Sequence, residues 1–118
     1  MKNLLQQLEE NFIFLYVLSL QNGKFYTGIT SNPKQRFEDH RNGKTTPFVK
    51  NNLPIIHIEQ KLLRTTDRKQ AEWIETKKAV QLMKKHGIEN VNGGYLAGDY
   101  HDKIGKLKSQ FNAKFDEY

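Results

Sequence analysis

The chain contains no cysteine and no long apolar run, and each absence removes a class of protein. Without cysteine there is neither a disulfide framework nor a thiolate zinc site, so we expect a protein of the reducing cytoplasm. The longest largely apolar stretch, Phe12 to Leu20, spans nine residues and is too short to cross a bilayer. Glu9 and Glu10 precede it and no small-residue cleavage site follows, so we expect neither a signal peptide nor a membrane partner.

Acidic residues are the minority among the charged ones: 13 Asp and Glu stand against 19 Lys and Arg, a net charge of +6. The length of 118 residues corresponds to a single domain, residues 1–118. A basic chain of this kind is either an ordinary soluble protein, or one that binds a polyanion such as DNA and displaces its counterions. Charge alone leaves these two interpretations open.

Apolar periodicity and turn residues predict a small α+β domain. The predicted order is strand, strand, helix, strand, helix, then a loop and a last helix, with a short leading helix at residues 3–9. A hairpin with one further strand indicates a three-stranded antiparallel sheet flanked by helices. In the third strand Ile56 and Ile58 alternate with His57 and Glu59, which predicts that the two isoleucines share a face. The expected strands are 12–20, 24–30 and 55–63, the expected helices are 33–42, 68–86 and 101–116, and the segments 44–53 and 88–98 are expected to be loops.

Two tyrosines lie on the two strands of the predicted hairpin, and the turn between them decides whether they share a face. A two-residue turn at 22–23 would place Tyr16 and Tyr26 on opposite faces, whereas a three-residue turn at 21–23 would put them on one face with Gly28 opposite Tyr16. We choose the three-residue turn because a shared site requires it. A glycine in a strand can leave room for a ligand or another backbone, but tyrosine is also an ordinary strand residue.

Three further side chains have the chemistry of a phosphate or metal site. Arg36 and His40 are four residues apart on a predicted helix and therefore share one face. The alternative is that this face is an ordinary solvent-exposed surface of the helix. The guanidinium offers a fork of donors that fits a phosphate, and imidazole transfers protons near neutral pH. Glu75 falls within the apolar arc of residues 71–82, where a carboxylate is costly unless it is paired or bound to metal. An ion pair with Lys78 and a metal site both remain open.

This order of residues resembles the GIY-YIG nuclease domain. The resemblance covers about residues 12–94, and we expect residues 99–118 to be a C-terminal helical extension. Three positions depart from the motifs that give the family its name, since Phe14-Leu15 replaces Gly-Ile and Thr27 replaces Ile. The matched positions are Phe14-Leu15-Tyr16, Tyr26-Thr27-Gly28, Arg36, His40 and Glu75, the last marked by Ala71 four residues before it.

The resemblance implies a metal-dependent endonuclease that hydrolyses phosphodiester bonds in DNA. It implies that Tyr16 relays the proton of the attacking water with His40 nearby, and that Arg36 stabilises the charge on the phosphate. It further implies that Tyr26 positions the phosphate and that Glu75 holds Mg²⁺ or Mn²⁺. A phenol is a poor base unless its pKa is lowered, which the metal or Arg36 would do. The alternative is a DNA-binding or protein-interaction module on the same fold with weak or no catalysis.

Three lysines and two asparagines complete the candidates. We expect Lys34, Lys44 and Lys50 to bind DNA together with the arginine of the helix, and the resemblance adds Asn90 or Asn92 as a site residue without distinguishing between them. Family members include restriction, homing and repair nucleases that gain specificity from extra domains. We therefore expect either action on structured or loosely specified DNA, or a protein partner that supplies specificity.

The C-terminal extension has an apolar stripe that must be buried somewhere. We expect the protein to be a monomer in which this helix packs on Trp73 and Val80 of the long helix, with a dimer or partner interface as the alternative. The stripe consists of Ile104, Leu107, Phe111 and Phe115.

Overall fold

The computed structural model describes residues 3–4, 12–93, 96, 102–103 and 105–106, and it confirms the predicted α+β class. Two 3₁₀ turns, Gln21–Gly23 and Ile88–Asn90, connect regular elements. The elements are β1 (Phe14–Leu20), β2 (Phe25–Thr30), α1 (Pro33–Arg41), α2 (Pro47–Lys50), β3 (Ile55–Leu62), α3 (Arg68–His86) and β4 (Val91–Gly93).

The sheet has four strands in the order β3-β1-β2-β4, so the expected number of three is wrong. The fourth strand lies in a segment expected to be a loop, and it pairs in parallel with Phe25–Thr27 of β2. Its three residues are too few to show an alternating pattern, and Asn92 and Gly93 are poor strand formers. A Cβ at Gly93 would collide with Thr27 Oγ1, so glycine lets the two backbones approach.

The hairpin has the register predicted from a three-residue turn. Tyr16 pairs with Gly28, and Tyr26 lies two positions away on the same face. Asn22 and Gly23 supply the left-handed backbone of the turn, with φ of 64° and 67°. Both tyrosines therefore face the same side of the sheet.

Helices cover both faces of the sheet. On one face β1 and β2 pack against α1 and α2, and on the other against α3. The segment expected to be a loop at 44–53 contains α2, which Thr46 caps by accepting the Val49 N–H and whose Val49 is fully buried. The first face buries Tyr16, Leu18, Leu20, Tyr26, Phe37 and Val49, and the second buries Ile13, Leu15, Ile29 and Ala71.

A β-bulge explains where the predicted alternation of β3 fails. Ser19 pairs with His57 and Leu20 with Ile55, so Ile56 is the extra residue between them. Ile56 is 63% exposed, and the expectation that it shares the inward face with Ile58 is wrong.

The expectations for the chain ends fall largely outside the described residues. Of the leading helix only Asn3 and Leu4 are described, and the apolar stripe Ile104, Leu107, Phe111 and Phe115 is not. Trp73 is 48% exposed, and the packing of the last helix on it stays a prediction. Within the part of the chain that is described, no helix combines the length and apolar character needed to span a bilayer.

Candidate active site

A cleft of about 240 Å³ opens beside β2, at the point where its pairing with β4 stops at Thr27. Both faces of the sheet, α1 and α3 contribute to its walls. The lining residues are Tyr16, Tyr26, Gly28, Ile29, Arg36, Thr46, Arg68, Glu75, Asn92 and Gly93. Four of the five expected catalytic residues are therefore brought together here, and the fifth, His40, lies directly behind Tyr16.

Tyr16 is the centre of the cluster. Its side chain is 1% exposed, its ring meets Phe37 edge-on at 5.3 Å between centroids, and the ring of Tyr26 lies 6.3 Å away. A Cβ on Gly28 would collide with the phenol, including its hydroxyl. The missing side chain of Gly28 therefore lets the Tyr16 phenol lie across the neighbouring strand.

The Tyr16 hydroxyl joins two residues of α1. Arg36 Nε donates to it at 3.2 Å, and His40 Nε2 lies 2.8 Å from it. The other ring nitrogen, Nδ1, is 2.7 Å from Thr45 Oγ1. A neutral imidazole that donates its Nδ1–H to Thr45 accepts the phenolic proton at Nε2, which leaves the phenol oxygen free to accept from Arg36.

Burial sets the protonation of this cluster. It raises the pKa of Tyr16 well above its ordinary value, with the neighbouring Tyr26 adding to the effect and Arg36 opposing it. Burial likewise raises the pKa of Tyr26. The pKa of His40 is lowered to about 4, first by burial and then by the charge of Arg36. Desolvation thus outweighs the arginine that was expected to acidify the phenol, so Tyr16 is protonated and His40 neutral at pH 7.

Glu75 is held inside the cleft wall by α3 and is 4% exposed. Among the described residues its Oε2 has no hydrogen-bond partner. Burial raises its pKa to about 7, Glu72 adds to the rise and Arg68 opposes it. Lys78, the alternative ion-pair partner, lines a separate groove with Leu15 and Val17.

The donor set fits a hard divalent cation rather than zinc. Within the described part of the chain there is no group of three or more His, Cys, Asp and Glu side chains placed to hold a metal. The cleft instead offers the buried carboxylate of Glu75 and the amide oxygen of Asn92, both without a partner among the described residues. Mg²⁺ and Mn²⁺ accept one or two oxygen ligands with water and phosphate oxygens in the other positions.

The structure separates the two candidate asparagines. Asn92 lines the cleft and is 8% exposed, whereas Asn90 accepts from Lys24 Nζ at 2.7 Å and donates to the His86 carbonyl at 2.8 Å. Asn90 therefore fastens the end of α3 to β2, and Asn92 is the one available to a ligand.

The basic residues divide in the same way. Arg36 lines the cleft. Lys34, Lys44 and Lys50 are exposed and are not among the described residues that line it. Arg68 lines the cleft and was missed by the sequence analysis. The signal was its spacing: seven residues before Glu75 is two helical turns, which places both side chains on one face of α3.

The four-stranded α+β fold agrees with that of a nuclease family. The family model of the GIY-YIG catalytic domain matches residues 12–85, more than half of the chain, and the protein therefore belongs to the GIY-YIG family. Members of this family generally use divalent metal ions and act on DNA. No solved structure matches the chain.

Relatives occur in bacteria and in a virus. A UPF0213 protein of Bacillus licheniformis is 31% identical over 67 residues, which is 56% of this chain and 69% of the relative. A UPF0213 protein of Photorhabdus laumondii is 40% identical over 48 residues, 41% of this chain and 46% of the relative. A putative GIY-YIG domain-containing protein of invertebrate iridescent virus 6 is 36% identical over 47 residues, 40% of this chain and 48% of the relative. The chain thus spans about half the length of the latter two.

Proposed function

We propose that the protein is a divalent-metal-dependent endonuclease that hydrolyses phosphodiester bonds in structured or loosely specified DNA. One observation supports this most directly: Arg36, Tyr16 and His40 are hydrogen-bonded in series, and Arg36 and Tyr16 line the same cleft as Glu75, whose Oε2 has no partner among the described residues. The guanidinium that would bind the phosphate, the pair of residues that would accept a proton and the carboxylate that would bind a cation therefore lie next to one another. A cytoplasmic monomer that a protein partner directs to its DNA remains part of the proposal.

The proton path runs from water through Tyr16 to His40. Because the phenol is protonated at neutral pH, it takes the proton of the attacking water only as its own proton passes to His40 Nε2, 2.8 Å away. His40 is neutral and its Nδ1 is held by Thr45, so Nε2 faces the phenol as an acceptor. As the water oxygen bonds to phosphorus, two protons each move one place, from water to Tyr16 and from Tyr16 to His40. The ester oxygen leaves with the electron pair of its bond to phosphorus and takes a proton from solvent, and His40 later returns its proton to solvent.

The negative charge of the phosphate is met from two sides. Arg36 donates Nε to the Tyr16 phenol and also interacts with the Tyr26 hydroxyl, and the remaining donors of its guanidinium fork would meet the non-bridging oxygens. Glu75, with Asn92, would hold Mg²⁺ or Mn²⁺, which when bound supplies charge stabilisation at the phosphate and the leaving oxygen. Tyr26 lines the cleft next to Tyr16 and orients the phosphate, while Lys34, Lys44 and Lys50 contact the backbone outside the cleft.

Cleavage assays on nicked, flapped, branched and linear DNA with Mg²⁺, Mn²⁺ or EDTA test the proposal. We expect metal-dependent products from the wild-type protein and none from Glu75→Gln, a nearly isosteric change. Glu72→Gln is the matched control one turn away and should retain most of the activity. Salt-dependent DNA binding without cleavage would instead favour the binding module, and loss of cleavage in Glu72→Gln alone would overturn the assignment of the glutamate.

A further inference from the structure

We infer that Arg68 is a second phosphate-binding residue of the cleft and contacts the DNA strand within about three nucleotides of the phosphate held by Arg36. The inference rests on the proposed function, because it needs DNA in this cleft. Arg36 on α1 and Arg68 on α3 are the two arginines among the described residues that line the cleft. Because the two arginines lie on different helices, each can bind a different phosphate of the DNA strand.

The spacing along α3 fits a neighbouring phosphate. Seven residues separate Arg68 from Glu75, so their Cα atoms are about 10 Å apart along the helix and on one face. The phosphates of one B-form strand follow each other at about 3.4 Å of helix axis. A strand that runs along α3 with its reacting phosphate beside Glu75 therefore brings another phosphate, within about three nucleotides, to Arg68.

The ion pair that Arg68 makes with Glu72 is weak. Arg68 Nε lies 3.8 Å from Glu72 Oε1, and the two side chains are 64% and 33% exposed. An exposed pair at this separation contributes little and exchanges readily for a phosphate, which a guanidinium binds through two parallel hydrogen bonds.

The position of Arg68 serves the helix itself only through the weak i,i+4 ion pair with Glu72. It is the first residue of α3, where the helix dipole disfavours a positive charge. The N-terminal amides are already capped by Asp67, whose carboxylate accepts from Lys69 and Gln70. A cation at this place is explained better by an anion that enters the cleft.

Binding measurements in a cleavage-deficient background test the contact. In Glu75→Gln protein, with EDTA and a fluorescent DNA that the wild type cleaves or binds, Arg68→Gln should weaken binding roughly five- to tenfold near 0.1 M salt. The plot of log K against log salt should become shallower by about 0.9. Lys85→Gln removes the same charge from the exposed far end of α3, about 25 Å away, and should leave the slope unchanged.

Neutral phosphate analogues locate the contact. A single methylphosphonate placed two or three nucleotides from the cleavage position should weaken DNA binding by the parent, which is the Glu75→Gln protein, but not by the same protein carrying Arg68→Gln. A methylphosphonate placed further away should weaken binding by both proteins equally. An unchanged salt slope in Arg68→Gln overturns the inference even where the wild type cleaves DNA. If the parent binds with the Arg68-dependent slope but the wild type does not cleave, the nuclease proposal fails and the contact stands. No salt-dependent binding by the parent would overturn both.

Discussion

Glu75→Gln should stabilise the metal-free protein at neutral and alkaline pH, although it removes the carboxylate that the proposed reaction needs. The carboxyl is 4% exposed, and burial raises its pKa to about 7 from an ordinary value of 4.5. Linkage at about 1.4 kcal/mol per pH unit then gives roughly 3 kcal/mol of stability lost when the group ionises in the folded protein. Glutamine keeps the shape and carries no charge to desolvate.

The pH dependence follows from the raised pKa. Below pH 4.5 the carboxyl is protonated in the folded and the unfolded chain, so it carries no ionisation penalty there. Between pH 4.5 and about 7 the unfolded chain has released the proton and the folded protein has not, so stability falls as the pH rises. Above that window the penalty is complete and constant.

Urea unfolding of wild type and Glu75→Gln in EDTA, from about pH 4 to about pH 8, measures the difference in free energy of unfolding. The variants should be similar at the acid end, and Glu75→Gln should gain about 3 kcal/mol at the other. Glu72→Gln is the comparison: the Glu72 side chain is 33% exposed, and because Glu72 adds to the rise in the pKa of Glu75, its removal should lower that pKa and give a smaller gain in stability than Glu75→Gln. A difference that does not change with pH, or a wild type that is the more stable protein at pH 8 in EDTA, would refute the reasoning. Millimolar Mg²⁺ should then stabilise wild type but not Glu75→Gln.

Arg36→Lys should reduce cleavage by about 10²-fold, because a point charge does not reproduce the guanidinium fork on phosphate and phenol; single-turnover rates close to wild type would contradict this. Gly28→Ala should lower stability by about 1–3 kcal/mol and abolish most cleavage, since its Cβ displaces the Tyr16 phenol from its hydrogen bonds. Denaturant midpoints and cleavage rates equal to wild type would show that the phenol does not need this position. Truncation after Tyr100 should lower the melting temperature and expose Trp73 to a quencher. A monomeric truncation with unchanged melting temperature and unchanged Trp73 quenching would contradict packing of the last helix on Trp73.

Local sequence predicted the hairpin, because that information lies within a few residues, but it left two turn lengths open, and the requirement of a shared site selected the three-residue turn. The chain around Asn22 and Gly23 supplies the positive φ angles of a three-residue turn, and strand alternation then places Tyr16 and Tyr26 on one face. The burial of Glu75 also followed from helical periodicity alone, since an arc of small and apolar neighbours fixes which way α3 faces.

Long-range pairing decided what the sequence analysis missed. β4 has three residues, and its strand character comes from pairing with β2 more than sixty residues earlier in the chain. That pairing brings Asn92 to the cleft and leaves Asn90 at the end of α3. The bulge at Ile56 likewise depends on the partner strand, which no local pattern contains.

The sequence by itself therefore determined the family and the α+β class, and it predicted the candidate site residues, because residue type and short spacing carry that information. Only the tertiary structure decided their state. Burial holds Tyr16 protonated and His40 neutral, because desolvation depends on everything that packs around them. The same packing leaves Glu75 without a partner among the described residues and brings Arg68 to the cleft, since these relations join atoms that the chain places far apart in order but close in space.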